Sequence, residues 1–162
     1  MSKITKELLA ELKQVPKALT RPFKQKWTTE RKFRQLSVEL ISQCGAYKFN
    51  LYLRQNELHD NNFSCGISLI RNGENDITLA RYNGSNHVHV NKLDGKRFEF
   101  ECHIHEANEE CLKVAKKIED HARATDKYTN LAGAIRCILE DYNIIDINLG
   151  QLIKQGGLFD EL

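Results

Sequence analysis

The alternation of polar and apolar positions changes period along this chain. In "SKITKELLAELKQV" the apolar residues Ile4, Leu8, Leu9 and Leu12 recur at helical spacing behind Ser2, which is placed as an N-cap, so residues 2–14 predict an amphipathic helix. Pro16 ends it. "ALTRPFKQKWTTERK" follows as a basic, Pro-containing connector with two aromatics, Phe23 and Trp27. From about residue 33 the period becomes two. Leu36, Val38 and Leu40 alternate with polar neighbours, then Phe49, Leu51 and Leu53, then Phe63, Cys65, Ile67 and Leu69. "NGEND" is a turn, and "ITLARYNG" continues as the next strand. These segments predict a meander of antiparallel strands with one buried face.

"HVHVNKLDGKRFEFECHIH", residues 87–105, supplies the last two expected strands. After it, "EANEECLKVAKKIEDHARATD" returns to helical spacing through Leu112, Ala115, Ile118 and Ala122. "KYTNLAGAIRCILEDYNI" repeats that spacing through Leu131, Ala134, Ile135, Ile138 and Leu139, and the tail "DINLGQLIKQGGLFDEL" reads as short, Gly-interrupted and loosely packed. The expected fold is α+β: an antiparallel meander of about five or six strands, with an N-terminal helix and two C-terminal helices on one face. Residues 1–32 form the basic helix and connector, and 33–162 a single α+β domain.

Strand parity decides where the four histidines of residues 87–105 point. Phe98, Phe100, Cys102 and Ile104 alternate with Glu99, Glu101, His103 and His105, and Val88 and Val90 alternate with His87, His89 and Asn91. Burying both apolar sets requires an odd loop, which a Leu93-Asp94-Gly95 turn with left-handed Gly satisfies. His87 then faces Glu101 and His89 faces Glu99; five loop residues would instead set His87 against His103. Either way a patch of imidazoles and carboxylates results. Asn83-Gly84, just before the first His pair, permits a sharp turn or bulge. His59 and His121 stand alone and read as surface or capping residues.

Composition and charge add to this picture. The net charge of +2 hides ten Lys/Arg against three Glu in residues 1–34, followed by a mildly acidic remainder. A basic segment of this kind fits either a polyanionic partner or a solvated helix and linker. The five cysteines are scattered and without C-x-x-C, as reduced and mostly buried thiols would be. No apolar run approaches the roughly 20 residues that span a bilayer, and "KELLAELKQVPKAL" has no signal-peptide core, so a cytoplasmic protein is expected.

Three chemistries suit the histidine patch. Paired imidazoles can exchange protons near neutral pH, as metal-independent RNA cleavage requires, with Arg81, Lys92 or Arg97 to hold the phosphate. Histidines with carboxylates also suit a transition metal such as Zn2+. The third reading is a solvated polar sheet face with no chemistry. No Walker A, G-x-G-x-x-G, H-E-x-x-H, G-x-S-x-G or zinc-finger spacing occurs, which argues against nucleotide-driven enzymes, metalloproteases and serine hydrolases.

The pattern "ITLARYNGSNHVHVN…DG…FECHIH" resembles the TumE-type toxins of bacterial toxin–antitoxin systems and a related group of small bacterial proteins. The matching residues are Arg81, Asn83, Gly84, His87, Asn91, Asp94, Gly95, His103 and His105, within roughly residues 45–145. His89 and the basic helix 2–14 depart from that pattern. The resemblance implies a cytosolic protein that poisons, or once poisoned, an RNA-linked process and is paired with a protein antitoxin.

The leading expectation is therefore a toxin-like ribonuclease without a cofactor. His87 and His103 are the acid–base pair, His89 and His105 their supporting or swapping partners, and Arg81 the phosphate ligand. Lys17, Arg21, Lys24, Lys26 and Asn91 are the expected substrate contacts. The alternative is a non-catalytic phage- or mobile-element-encoded inhibitor of a host or defence nucleoprotein, using the basic arm with Phe23 and Trp27.

Overall fold

The computed structural model describes residues 3–154. In chain order the elements are α1 (Lys6–Gln14), β1 (Lys17–Leu19), β2 (Thr28–Glu30), β3 (Phe33–Ser42), β4 (Lys48–Asn56), β5 (Phe63–Ile70), β6 (Ile77–Asn83), β7 (Val88–Val90), β8 (Arg97–Glu99), β9 (His103–Glu106), β10 (Ala122–Ala124), α2 (Leu131–Asp141) and α3 (Leu149–Ile153). A 3-10 turn covers Glu109–Lys113. The main sheet is antiparallel, in the order β1-β3-β4-β5-β6-β9-β10, with β2 also paired to β3; β7 and β8 form a separate two-stranded ribbon.

The α+β class, the antiparallel sheet, the N-terminal helix and two C-terminal helices are all present. The period-two segments form β3 to β6 as a meander, and their apolar sets, from Leu36 to Leu69, fill one face. Leu12 of α1, Leu131, Ala134, Ile135 and Ile138 of α2, and Leu152 of α3 pack on that face in one core. The sheet is larger than a five- or six-stranded meander because the connector contributes β1 and β2, both paired to β3. Ser2 lies outside the described residues, and Thr5 caps α1 by accepting from the Leu8 amide.

Two helical expectations are corrected. "EANEECLKVAKKIEDHARATD" is not a helix: it forms the 3-10 turn and then β10, which pairs with β9. Leu112, assigned to the buried side, is exposed, and Cys111 is buried instead. Pairing with an open strand edge outweighed the local helical spacing, since Ala122 and Ala124 give β9 the partner it otherwise lacks. The tail, expected to pack loosely, carries α3, closed by an Asn148/Gln151 capping box and anchored by fully buried Leu152. Residues 155–162 lie outside the described part.

All five cysteines are free; Cys65 and Cys111 are buried, Cys102 and Cys137 half-buried, and Cys44 exposed.

Candidate functional site

The face opposite the core is polar, and the strand register organises it into two rows. One runs Gln35, Arg54, Ser64, Asn83, His103 across β3, β4, β5, β6 and β9. The next runs Ser37, Tyr52, Gly66, Arg81, His105 and reaches Ala122 on β10. Ser64 Oγ donates to Asn83 Oδ1 (3.0 Å), and Asn83 Nδ2 lies 3.4 Å from His103 Nε2. On the core side the Tyr128 hydroxyl donates to the carbonyls of both Asn83 and His103, bracing the strands that carry them.

The β7–β8 ribbon folds over the far end of these rows, in a different register from the one expected. Asn91 N–H donates to the Lys96 carbonyl, so the loop holds four residues, Lys92 to Gly95, with Gly95 at φ +72°. An even loop puts His89 opposite Phe98 and Val88 opposite Glu99. Val88 and Val90, expected in the core, are consequently exposed, and His89 points inward beside buried Phe98. Phe100, at φ +51°, breaks the strand between β8 and β9 and is itself 68% exposed, so parity does not carry through from Phe98 to Ile104. Asn83-Gly84 holds no bulge; the register shift lies at Ile67/Ser68. Gly84 instead admits the Asn61 carbonyl, which would stand 2.0 Å from a Cβ there.

The four rings nevertheless meet. His103 sits 4.9 Å from His87, 5.7 Å from His89 and 5.1 Å from His105, centroid to centroid, and His89 lies 4.5 Å from His105. Their companions are not Glu99 and Glu101, which are exposed, but Phe98, Arg81 and Glu119. His103 (0% exposed) and His105 (1%) are buried, while His87 and His89 are half-buried.

Main-chain and amide oxygens fix the tautomers. His103 Nδ1–H donates to the Glu101 carbonyl (2.9 Å) and His105 Nδ1–H to that of Glu119 (2.8 Å). His89 Nε2–H donates to the Asp120 carbonyl (3.0 Å), and His87 Nδ1 bonds Asn86 Oδ1 (3.0 Å). Each ring thereby keeps one nitrogen as a base. Burial holds His103 down at about 4 and His105 at about 3, helped by Arg81 and the neighbouring rings; His87 is lowered by burial, His89 and Arg81 in that order. At neutral pH these three imidazoles are uncharged.

Arg81 is the cation of the site. Its Nη1 faces Glu119 at 3.8 Å, a buried carboxylate, while its Nε–H is buried and unpartnered, as is His105 Nε2. Tyr52 lines the same end of its row, with its hydroxyl pushed up to about 12, chiefly by burial. Among the described residues no group of three or more His, Cys, Asp or Glu is arranged to hold a metal ion.

Of the remaining expected contacts, Asn91 alone reaches a ring of the cluster. Lys17 is fully buried, its Nζ donating to the carbonyls of Lys13, Val15 and Tyr142, because it starts β1 where α1 ends. Asn91 is 1% exposed, and its amide bonds the N–H and C=O of Ala122 and, through Oδ1, His89 Nε2 at 3.0 Å, so it holds the ribbon and one ring of the cluster rather than meeting substrate. Arg21, Lys24 and Lys26 are exposed, but their segment packs through Phe23 and Trp27 onto the core, with Trp27 Nε1–H donating to the Leu152 carbonyl. They lie on the helix side near β3, four strand spacings from β9, about 19 Å. His59 is exposed, and His121 faces Asp94 at 3.9 Å. Tyr52, Phe98 and Glu119 were missed; only parity with Arg81 could have pointed to Tyr52, through the β4–β5–β6 pairing. Comparison with protein-family models, curated proteins and solved structures finds no match for this chain.

Proposed function

We propose that the imidazole cluster with Arg81 cleaves RNA phosphodiesters without a metal, in the manner of a toxin-like ribonuclease. The observation that carries this reading is the contact of two half-buried rings, His87 and His89, with buried His103 beside a guanidinium that has an unpartnered edge. Neutral His87 takes the proton from a ribose 2′-hydroxyl as that oxygen bonds to phosphorus. The P–O5′ bond breaks, and the leaving oxygen receives the proton that the second ring, His89, takes up on Nδ1 as the phosphate binds, its Nε2–H staying with the Asp120 carbonyl; the products are a 2′,3′-cyclic phosphate and a 5′-hydroxyl. His103 packs edge-on against His87 and stacks on His89, and with its own nitrogens held by the Glu101 carbonyl and the Asn83 amide it positions the pair, while the proton returns through solvent. Arg81 holds the charge that develops on phosphorus. Burial thus moves His103 from direct contact with substrate to positioning, and leaves His105 only its Nε2 edge beside Arg81. A protein antitoxin is the natural partner of such an activity.

The test is RNA degradation with and without EDTA. Activity should survive EDTA and fall about 100-fold or more in His87→Ala and His103→Ala. Unchanged activity in both variants sinks the reading, and loss in EDTA replaces it with a metal-dependent one.

The exposure of Arg21, Lys24 and Lys26 favours a second reading, polyanion or nucleoprotein binding without catalysis. It predicts that alanine at these three positions abolishes RNA retention, while His87→Ala leaves it intact and no cleavage is seen.

A further inference from the structure

We infer that the unpartnered edges of the Arg81 guanidinium and the His105 ring form a subsite for a phosphoryl oxyanion, and that filling it draws a proton onto the imidazole cluster. The choice of a phosphoryl group rests on the phosphodiester reading; the subsite itself stands on the geometry.

Arg81 and His105 are direct cross-strand partners on the polar face. Each presents one buried polar atom without a partner, Nε–H of the arginine and Nε2 of the histidine. Buried polar groups are ordinarily satisfied, so two orphans on neighbouring residues mark a place built for something else. The first is a donor on a guanidinium edge, which suits an oxyanion. The second is a lone pair that becomes a donor on protonation.

The groups gathered around these two edges are Arg81 and Asn83 from β6, Tyr52 from β4, His87 and His89 from the ribbon, His103 and His105 from β9, and Glu119 from the segment before β10. Asp120 turns its carboxylate to the Lys92 amide and offers the site only its carbonyl. Four imidazoles and a guanidinium therefore share one carboxylate, and that carboxylate is already taken up by Nη1 of Arg81. His87, His103 and His105 resist protonation first through burial, and in smaller part because the Arg81 cation beside them lacks a second counter-ion. An anion on the free edge of Arg81 supplies it. Binding and proton uptake are then linked, and each strengthens the other by the same factor. The coupling also gives the proposed reaction its acid: the substrate's own phosphate charges the ring that protonates the leaving oxygen.

Sulfate is the probe, because it is a tetrahedral dianion that does not titrate near neutral pH. Histidine ring signals are followed by NMR between about pH 4 and 8, in sulfate and in chloride at matched ionic strength. At least one cluster histidine should rise by about one pH unit in sulfate, while exposed His59 stays put. The rise should vanish in Arg81→Met. If that variant loses its fold, the wild-type contrast between cluster and His59 decides alone. No cluster shift, an equal shift at His59, or a shift that persists in folded Arg81→Met overturns the subsite. Turnover plays no part in this measurement: a sulfate-linked shift without RNA cleavage overturns the enzyme reading alone, and cleavage without the shift overturns the subsite alone.

Discussion

Tyr52 lies across Gly66, its cross-strand partner, so closely that a Cβ on Gly66 would stand 2.2 Å from Tyr52 Cζ and 2.3 Å from its hydroxyl oxygen. The absent side chain on β5 is what lets the phenol extend over that strand toward Arg81, the next residue in the row. Gly66→Ala should expel the ring and destabilise the protein by about 1–3 kcal/mol. Tyr52→Ala should relieve most of that cost in the double variant, which denaturant titration of the four proteins in the cycle measures. Additive losses would show that the two residues do not interact.

Asn91 ties the ribbon to the sheet. Its Nδ2 donates to the Ala122 carbonyl and its Oδ1 accepts from the Ala122 amide, both at 2.8 Å and both buried. Asn91→Ala strands two main-chain groups and should cost about 2–4 kcal/mol. The loosening should be local, with amide exchange accelerating at His89, Phe100 and Ala122 well before it does in β3 to β5. Uniform acceleration across the sheet would show instead that the ribbon is part of the cooperative core.

Much of this was legible in the sequence. Leu36 to Leu69 announced a one-sided sheet because period two is unambiguous over three long strands, and "LAGAIRCILED" announced α2. The convergence of the four imidazoles was also readable, but for a reason parity does not contain. It assumed one unbroken strand from Arg97 to Glu106, whereas positive φ at Phe100 ends β8 and starts a new alternation at His103. Two errors then compensated: the loop is even rather than odd, and the strand is broken rather than continuous. The inward turn of His89 and the exposure of Val88 follow from that pair of features. Glu119 was hidden because its segment reads as helix, and only the β9–β10 pairing brings it to the rings.

Lys17 makes the burial of an amine testable. Its pKa falls from 10.5 to about 8 through desolvation, although three carbonyls receive its protons. The unfolded chain therefore binds more protons than the fold between about pH 8 and 10.5, and stability from this group rises with pH across that window. The full span is about 3 kcal/mol. Lys17→Met should lack this rise, so urea midpoints at pH 8 and 10 should differ more in the wild type than in the variant. Parallel pH dependence in the two proteins would contradict the assignment.

Acid should open the cluster from within. His103 and His105 are held at about 4 and about 3, against 6.5 for a free imidazole. Above pH 6.5 both rings are neutral in the folded and unfolded chain, and their contribution to stability is complete. As pH falls below that value the unfolded chain takes up protons that the fold refuses. Stability is then lost at up to about 1.4 kcal/mol per pH unit for each ring, until the folded values are reached. His103→Asn and His105→Gln each remove one titrating ring, so each should flatten the acid limb of urea midpoints measured at pH 7, 6 and 5, whatever its effect at neutral pH. Because His89 and Phe98 pack against these rings, the ribbon should detach first, visible as early loss of the histidine ring contacts by NMR while α2 and β3 to β5 stay protected. A wild-type midpoint that does not move between pH 7 and 5, or variants as steep as the wild type, would show that the cluster is open to solvent and protonates freely.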